Sequence, residues 1–354
     1  MMSENEVIVQ AENLESFMSA LFEQTDMSRE DAAYCALCLV QTNLWGIDSH
    51  GVLRAPIYIE RLRSKAINPA PNVKKVRGFG ALEVLDGDDG MGFIVGRAAM
   101  TRAIELAEQH GISAVGVNRS NHFGAAALFA RMATDRGLIG MVMTNVIPNI
   151  VAPGGSKPIT GNNPIAFGVP TFREFPFMLD ISLSNVAGGK LLLASKKGER
   201  IPLDWATDKD GRPTDDPDLA FAGFLLPVGG HKGLGLSYVV DILSGLITGG
   251  VFQHEMKSMY KHRDDPSLTS HFMIVINPLA IMSREEMEER MANFYQTIKA
   301  SPMWDDSREM MLPGEIEHRT AVSRQANGIP LPVNLYNDLV SLGNELGVTE
   351  TLAT

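Results

Sequence analysis

The sequence predicts an α/β chain of the α+β-like kind, in which helices from both ends close over a strand-rich middle. Three observations carry this. Leu14, Phe17, Met18, Leu21 and Phe22 keep the i, i+3, i+4, i+7, i+8 spacing of an amphipathic helix. Between residues 112 and 170 the short apolar runs "ISAVGV", "IGMVMT" and "IAFGVP" alternate with Gly, Asn and Pro, as strands alternate with turns. Toward the C-terminus helical spacing returns. Met287, Met291, Phe294, Tyr295 and Ile298 share one face, and Leu335, Leu339, Leu342 and Leu346 share another.

The elements follow in order. Residues 10–46 read as two helices, and Ser28, three before Asp31, is a capping-box pattern opening the second. "APIYIERLRSK" is a third helix, stopped by Pro69 and Pro71. "ALEVLDGDDGMG" is a strand with a tight turn, and "FIVGRAAMTRAIELAEQHG" a helix ended by Gly111. "FPFMLDIS" and "HFMIVINP" are further strands. "GLGLSYVVDILSGLITGG" reads as a buried helix after a Gly-rich lead-in. The expected division is a helix-rich domain built from 1–118 plus 280–354 and a strand-rich domain over 119–279.

The chain has 354 residues, 45% hydrophobic and 21% charged, enough for one large or two medium globular domains. A net charge of −11 argues against nucleic acid or an anionic membrane as partner. No apolar run reaches the roughly 18–20 residues that span a bilayer. The stretch "MMSENEVIVQAENLES" is acidic and lacks the apolar core of a secretory signal. Cys35 and Cys38, the only cysteines, stand i, i+3 on one helix face without a second pair. They are expected as core thiols in a cytoplasmic protein.

"GMGFIVG" (90–96) follows a strand and opens a helix, which is the setting of a dinucleotide fingerprint. Its G-x-G-x-x-x-G spacing is one residue too long. The next strand ends at Asn118 and Arg119, with no acid to grip a ribose. It reads instead as a tight turn with a glycine at helix-packing distance.

Chemistry concentrates in "NLWGIDSHGVLR" (43–54), which holds Asp48, Ser49, His50 and Arg54. A Ser–His nucleophile is disfavoured, because adjacent residues rarely reach attack geometry and no G-x-S-x-G elbow is present. Acid–base work fits better: imidazole titrates near neutrality and can hand a proton to an alkoxide forming at a carbonyl. Arginine holds a carboxylate bidentately. The pair therefore points to a 2-oxo or 2-hydroxy acid, with Asp48 as a helix N-cap. "RSNHFGAAA", "LDISLSNVAGGK" and "GGHKGLGL" each join an ionisable group to a Gly-rich turn whose N–H groups suit a diphosphate. His50, His122 and His231 lie in neither H-x-x-H nor H-E-x-x-H spacing, so no metal is expected.

With "DSHGVLR", "SNHFGAA", "GNNPIAFGVP", "LDISLSNVAGGK", "GGHKGLGL" and "LPGEIEHR" in this order, the chain resembles the malate/L-lactate dehydrogenase family of the non-Rossmann type. The resemblance implies an oxidoreductase using NAD or NADP, with NADH favoured. It implies a largely antiparallel central sheet, a cofactor-binding role for 119–279, and a homodimer with sites near the subunit interface. His50 then resembles the proton donor, Ser49 its relay partner and Arg54 the carboxylate anchor, with Tyr58 one helical turn beyond. His122, Phe123 and Gly124 match a stretch lining the nicotinamide and substrate pocket. Met178, Leu179 and Asp180 match a cofactor-contacting strand, and Gly314, Glu315 and Ile316 a second cofactor segment. His231 and Lys232 resemble a cofactor-phosphate contact. Lys190 falls where relatives carry Lys or Asp in a relay with Ser49 and His50, and a lysine there would lower the pKa of His50. Asn162 stands where the family has a substrate-contacting Thr, and Val146 where many relatives have a hydroxyl. The rival readings are an NAD(P)H-dependent reductase of a cyclic imino acid, a metal-dependent hydrolase and a non-catalytic ligand-binding relative.

Overall fold

A computed structural model describes residues 6–353; the first five residues of the acidic N-terminal stretch lie outside them. β1 (Glu6–Val9) leads into α1 (Ala11–Glu23) and α2 (Arg29–Leu44). The Ser28 hydroxyl accepts the Asp31 N–H at the start of α2, as the capping pattern predicts. Two short 3₁₀ turns carry Asp48–Arg54 into α3 (Ala55–Arg63). Then come β2 (Lys74–Phe79), β3 (Leu82–Asp86), α4 (Gly92–His110), β4 (Ile112–Ser120), α5 (Ala127–Thr134) and β5 (Ile139–Thr144). Gly111 ends α4 at φ 82°, which costs glycine nothing.

The middle continues through β6 (Ile150–Val151), β7 (Pro158–Thr160), β8 (Ile165–Val169), β9 (Phe177–Ile181) and α6 (Gly188–Lys197). β10 (Ala206–Thr207), α7 (Pro217–Ala222), β11 (Phe224–Leu225), α8 (His231–Asp241) and β12 (Thr269–Ile276) follow. The chain closes with α9 (Arg284–Lys299), α10 (Glu315–Asn327), β13 (Ile329–Pro332) and α11 (Val333–Leu346).

A seven-stranded sheet runs in the order β2-β3-β4-β12-β5-β8-β9, and only the β3–β4 pair is parallel. The largely antiparallel sheet is thus as expected. β12 slots between β4 and β5, placing His271 opposite Thr144. A four-stranded sheet, β10-β11-β6-β7, forms a second layer with its own core of Ile150, Leu191, Ala206 and Leu225. The ends of the chain meet where β1 pairs with β13, and Leu14 and Phe17 of α1 share a core with Leu335 and Leu339 of α11.

Four details depart from the sequence reading. β2 has no sequence signature, because all six of its residues are exposed on a charged edge strand and no apolar alternation exists to read. The helix expected to be buried is buried on one face only. Leu234, Ser237, Val240 and Asp241 point inward, whereas Leu236, Val239, Ile242 and Leu246 are exposed, the last two in a π turn that prolongs α8. Local periodicity cannot separate a side chain covered by its own fold from one left bare. In α9, Met287 and Tyr295 are buried but Phe294 is half exposed. β4 also crosses the 118/119 boundary in the middle of the large sheet.

Candidate active site

The site begins with a side chain that caps no helix. Asn43 of α2 accepts the Val52 N–H through Oδ1 at 2.8 Å and donates to Asp48 through Nδ2 at 2.6 Å, clamping the loop between them. A β-carbon on Gly51 would collide with the Asn43 carboxamide, so this close approach requires glycine. Asp48 is not the N-cap that the sequence suggested. It forms an ion pair with Arg324 of α10 at 2.6 and 3.0 Å, fastening the loop to the C-terminal helices. Arg324 also donates to the Asn43 carbonyl at the end of α2.

Clamped in this way, the loop aligns its chemistry. Ser49 Oγ and His50 Nδ1 are 2.9 Å apart, so these neighbours do reach each other, and His50 Nε2 has no hydrogen-bond partner among the described residues. The His50 ring stacks on His122 at 5.6 Å between centroids. His122 Nδ1 lies 2.5 Å from Tyr58 Oη and also receives the Gly124 N–H. We assign Nδ1 as the acceptor, which places the His122 proton on Nε2. Arg54 donates from Nε to the Ser49 carbonyl at 2.7 Å and from Nη1 to the Tyr260 hydroxyl. Four predicted side chains, His50, Arg54, Tyr58 and His122, therefore converge with Ser49.

Burial, and secondarily the Arg54 charge, push His50 down to about 4. Burial also holds His122 well below the usual histidine range, with His50 and Arg54 adding to the shift. The lowering thus has other sources than the lysine expected from sequence. Lys190 is exposed on α6, with no hydrogen bond or ion pair to Ser49 or His50 among the described residues.

A second group forms where β9 meets the segments leading into α5 and α10. The Asp180 carboxylate of β9 accepts the Ala127 N–H at 2.8 Å, at the start of α5, to which the segment from His122 leads. Burial pushes Asp180 up to about 6, and Glu317 adds to it. Gly314 packs on Met178, whose N–H donates to the Pro313 carbonyl, so the two predicted cofactor segments are neighbours. Glu315 turns the other way. Its carboxylate binds Lys299, Arg319 and the Leu312 N–H and ties α9 to α10. Ile316 is exposed, while Leu179 sits half-buried in β9 opposite Phe167. Phe123 is a core residue, stacked between Phe129 and His271.

His231 and Lys232 are exposed at the start of α8, beyond Gly229 and Gly230 at φ 59° and 65°. This start is fastened beside β9, since Val228 N–H donates to the Leu183 carbonyl. Asn162 is near it: its carbonyl accepts the Leu183 N–H and its Oδ1 accepts from Asn149. The Val146 N–H donates to Asn163 Oδ1 in the same region. Main-chain positions open on the β-carbon side at Gly188, Gly189, Gly229 and Gly230, with the cations Lys190 and Lys232 beside them, fit a diphosphate. No group of three or more His, Cys, Asp or Glu side chains placed to hold a metal occurs among the described residues. "GMGFIVG" serves packing: a β-carbon on Gly92 would strike the Asn121 and His122 carbonyls, and one on Gly96 the Phe129 ring. Sequence reasoning missed Tyr260, Asn43, Arg324 and Glu317; only the Arg324–Asp48 charge pairing left a trace, and it spans most of the chain.

Residues 9–340 match the family model described as malate/L-lactate dehydrogenase. The chain is 37% identical over 353 residues to a malate dehydrogenase of Pyrococcus abyssi, covering 98% of this chain and 96% of that one. Its fold superposes on the sulfolactate dehydrogenase of Methanocaldococcus jannaschii with a TM-score of 0.90 at 36% identity, covering 97% and 98% of the two chains. It also superposes on a delta1-piperideine-2-carboxylate reductase of Pseudomonas syringae with a TM-score of 0.85 at 27% identity, covering 95% and 99%.

Proposed function

The chain belongs to the malate/L-lactate dehydrogenase family, and we propose that it interconverts a 2-hydroxy acid and its 2-oxo acid with His50 as the proton-transfer group and Arg54 as the carboxylate anchor. The observation carrying this is the clamped loop, which binds His50 Nδ1 to Ser49, ties Arg54 to the Ser49 carbonyl and stacks His50 on the His122 that Tyr58 holds. A bound NAD(P) would supply the hydride chemistry at C2. The Gly-flanked starts of α6 and α8, with Lys190, His231 and Lys232, would hold its phosphates, and the Met178–Asp180 and Gly314 segments the remainder. Relatives named for NAD(+) and for NADP(+) both exist, so both cofactors belong in the test.

The chain's own residues do the rest. At neutral pH His50 is unprotonated and ready to take the hydroxyl proton of a 2-hydroxy acid. In the reverse direction it must carry a proton. A substrate carboxylate paired with Arg54 neutralises the charge that repels that proton, so the anion which positions the substrate also raises His50's proton affinity. Ser49 holds the ring by Nδ1, and Tyr58 holds His122 against it.

The exposed apolar stripe Leu236, Val239, Ile242 and Leu246 supports a homodimer, and the buried free thiols of Cys35 and Cys38 support a reducing cytoplasm. No helix is long and apolar enough to cross a membrane among the described residues. The test is oxidation of NADH and NADPH at 340 nm with pyruvate, oxaloacetate, sulfopyruvate, diketogulonate and cyclic imino acids. Turnover of a 2-oxo acid is expected, with His50→Ala slowing it about 10²–10⁴-fold while cofactor binding persists. Undiminished turnover in that variant would remove the proton-transfer role. Turnover of cyclic imino acids alone would favour the imine reading.

A further inference from the structure

We propose that Tyr260 is a substrate-binding residue whose hydroxyl, held beside Arg54 by a strap of residues 256–267, hydrogen-bonds the substrate carboxylate on Arg54. The proposal rests on Arg54 being the carboxylate anchor. Arg54 spends Nε on the Ser49 carbonyl and Nη1 on the Tyr260 hydroxyl, and its guanidinium carbon lies 5.9 Å from the centre of the tyrosine ring. Nη2 makes no hydrogen bond among the described residues and stays open to an incoming anion. A phenol both donates and accepts. Without substrate the Tyr260 oxygen accepts from Arg54; with a carboxylate bound there, its O–H can donate to that carboxylate.

The strap is built to hold this tyrosine in place. Met256, Ser258 and Ser267 are buried, and Ser258 Oγ accepts the N–H groups of Tyr260 and Lys261. Arg54, the residue that leads into α3, and Tyr58 and Arg61 within it lie at i, i+4, i+7 and so share one face. Arg61 is 1% exposed and forms no ion pair with a carboxylate among the described residues. It donates to the carbonyls of His262 and Asp265 at 2.9 Å, to that of Arg263 at 3.3 Å, and to Ser267 Oγ at 3.1 Å. Its remaining bond goes to Asn121 Oδ1 at 3.2 Å, beside His122, and the same oxygen receives the Ser267 N–H. One buried guanidinium therefore ties the strap bearing Tyr260 to the segment bearing His122. At the outer edge Arg263 is paired with Glu60. These bonds fix the backbone that carries Tyr260, while its half-exposed ring is held by Arg54 alone; a backbone already in place loses little freedom when substrate arrives, which is how a pre-placed group adds affinity.

The experiment compares wild type, Tyr260→Phe, Arg54→Met and the double variant, using whichever of pyruvate, oxaloacetate or sulfopyruvate is turned over fastest. Tyr260→Phe should raise KM about tenfold, the size of one lost hydrogen bond to a charged group, and by more than it lowers kcat. NADH affinity, read by fluorescence, should not move. In the Arg54→Met background the Tyr260→Phe effect should shrink toward nothing, because both act on one carboxylate. If KM is unchanged in Tyr260→Phe but raised in Arg54→Met, the anchor stands and Tyr260 is removed. Equal effects of Tyr260→Phe in both backgrounds would mean a general role in packing and would also overturn the proposal. If Arg54→Met leaves KM unchanged, or none of the three acids is turned over, the underlying reading fails and Tyr260 falls with it.

Discussion

His50 owes its low proton affinity to burial first and to Arg54 second, and that ranking has kinetic consequences. Because kcat/KM reports the free enzyme, oxidation of a 2-hydroxy acid should hold a plateau at neutral pH and fall as pH drops through about 4. Reduction needs the protonated ring and should have the opposite dependence, with kcat titrating higher than kcat/KM because bound carboxylate screens Arg54. Replacing Arg54 with Met removes a positive neighbour, so the acid limb of the oxidation profile should move upward. A limb that stays in place would show that burial alone sets the proton affinity. Ser49, His50 and Arg54 were legible as chemistry because they lie within six consecutive residues. Asp48 was misread because its partner, Arg324, is remote in sequence, and an N-cap was the only local explanation.

Among elements, the contact that places His122 is the start of α4 against the segment between β4 and α5. Gly92 is the point of approach. Gly92→Ala should overpack this seam and cost about 1–3 kcal/mol in urea unfolding, while also lowering kcat/KM by displacing His122. A fully stable, fully active variant would show that the seam yields freely. The sequence located these glycines but offered a rival use for them as a dinucleotide turn; spacing excluded that use, and only the neighbouring carbonyls show what they do. β2 and the exposed half of α8 were harder to read. The first has no apolar rhythm, and the second has the rhythm of a buried helix with no cover from its own chain.

At the scale of the whole molecule, several groups, the buried His122 among them, make stability depend on acid in one direction. His271 is fully buried between Ser120 and Thr144 hydroxyls at 2.8 Å and is pushed by burial down to about 3. His50 behaves likewise at about 4. Unfolded histidine titrates near 6.5, so between that value and the folded values the unfolded chain binds protons that the folded one refuses. Stability is then complete above about 6.5 and declines as pH falls, by about 1.4 kcal/mol per pH unit for each such histidine. Glu83, held at about 2 by hydrogen bonds from Arg102 and then Lys75, adds a loss at lower pH. Asp180, raised to about 6, has the opposite sign: its contribution is present below about 4 and is lost as pH rises through 6, a partial offset. The urea midpoint should therefore be lower at pH 5 than at pH 7.5; equal midpoints would refute the histidine account. The sequence by itself determined where most of the helices lie, which residues are candidates for acid–base and carboxylate chemistry, and the family to which their order belongs. These rest on spacings of a few residues, which local periodicity and capping control. The tertiary structure alone decided that β12 enters between β4 and β5, bringing His271 beneath Phe123, and that the strap before it delivers Tyr260 to Arg54. Contacts between residues some two hundred positions apart are set by packing and loop closure, and those leave no periodic signal in the sequence.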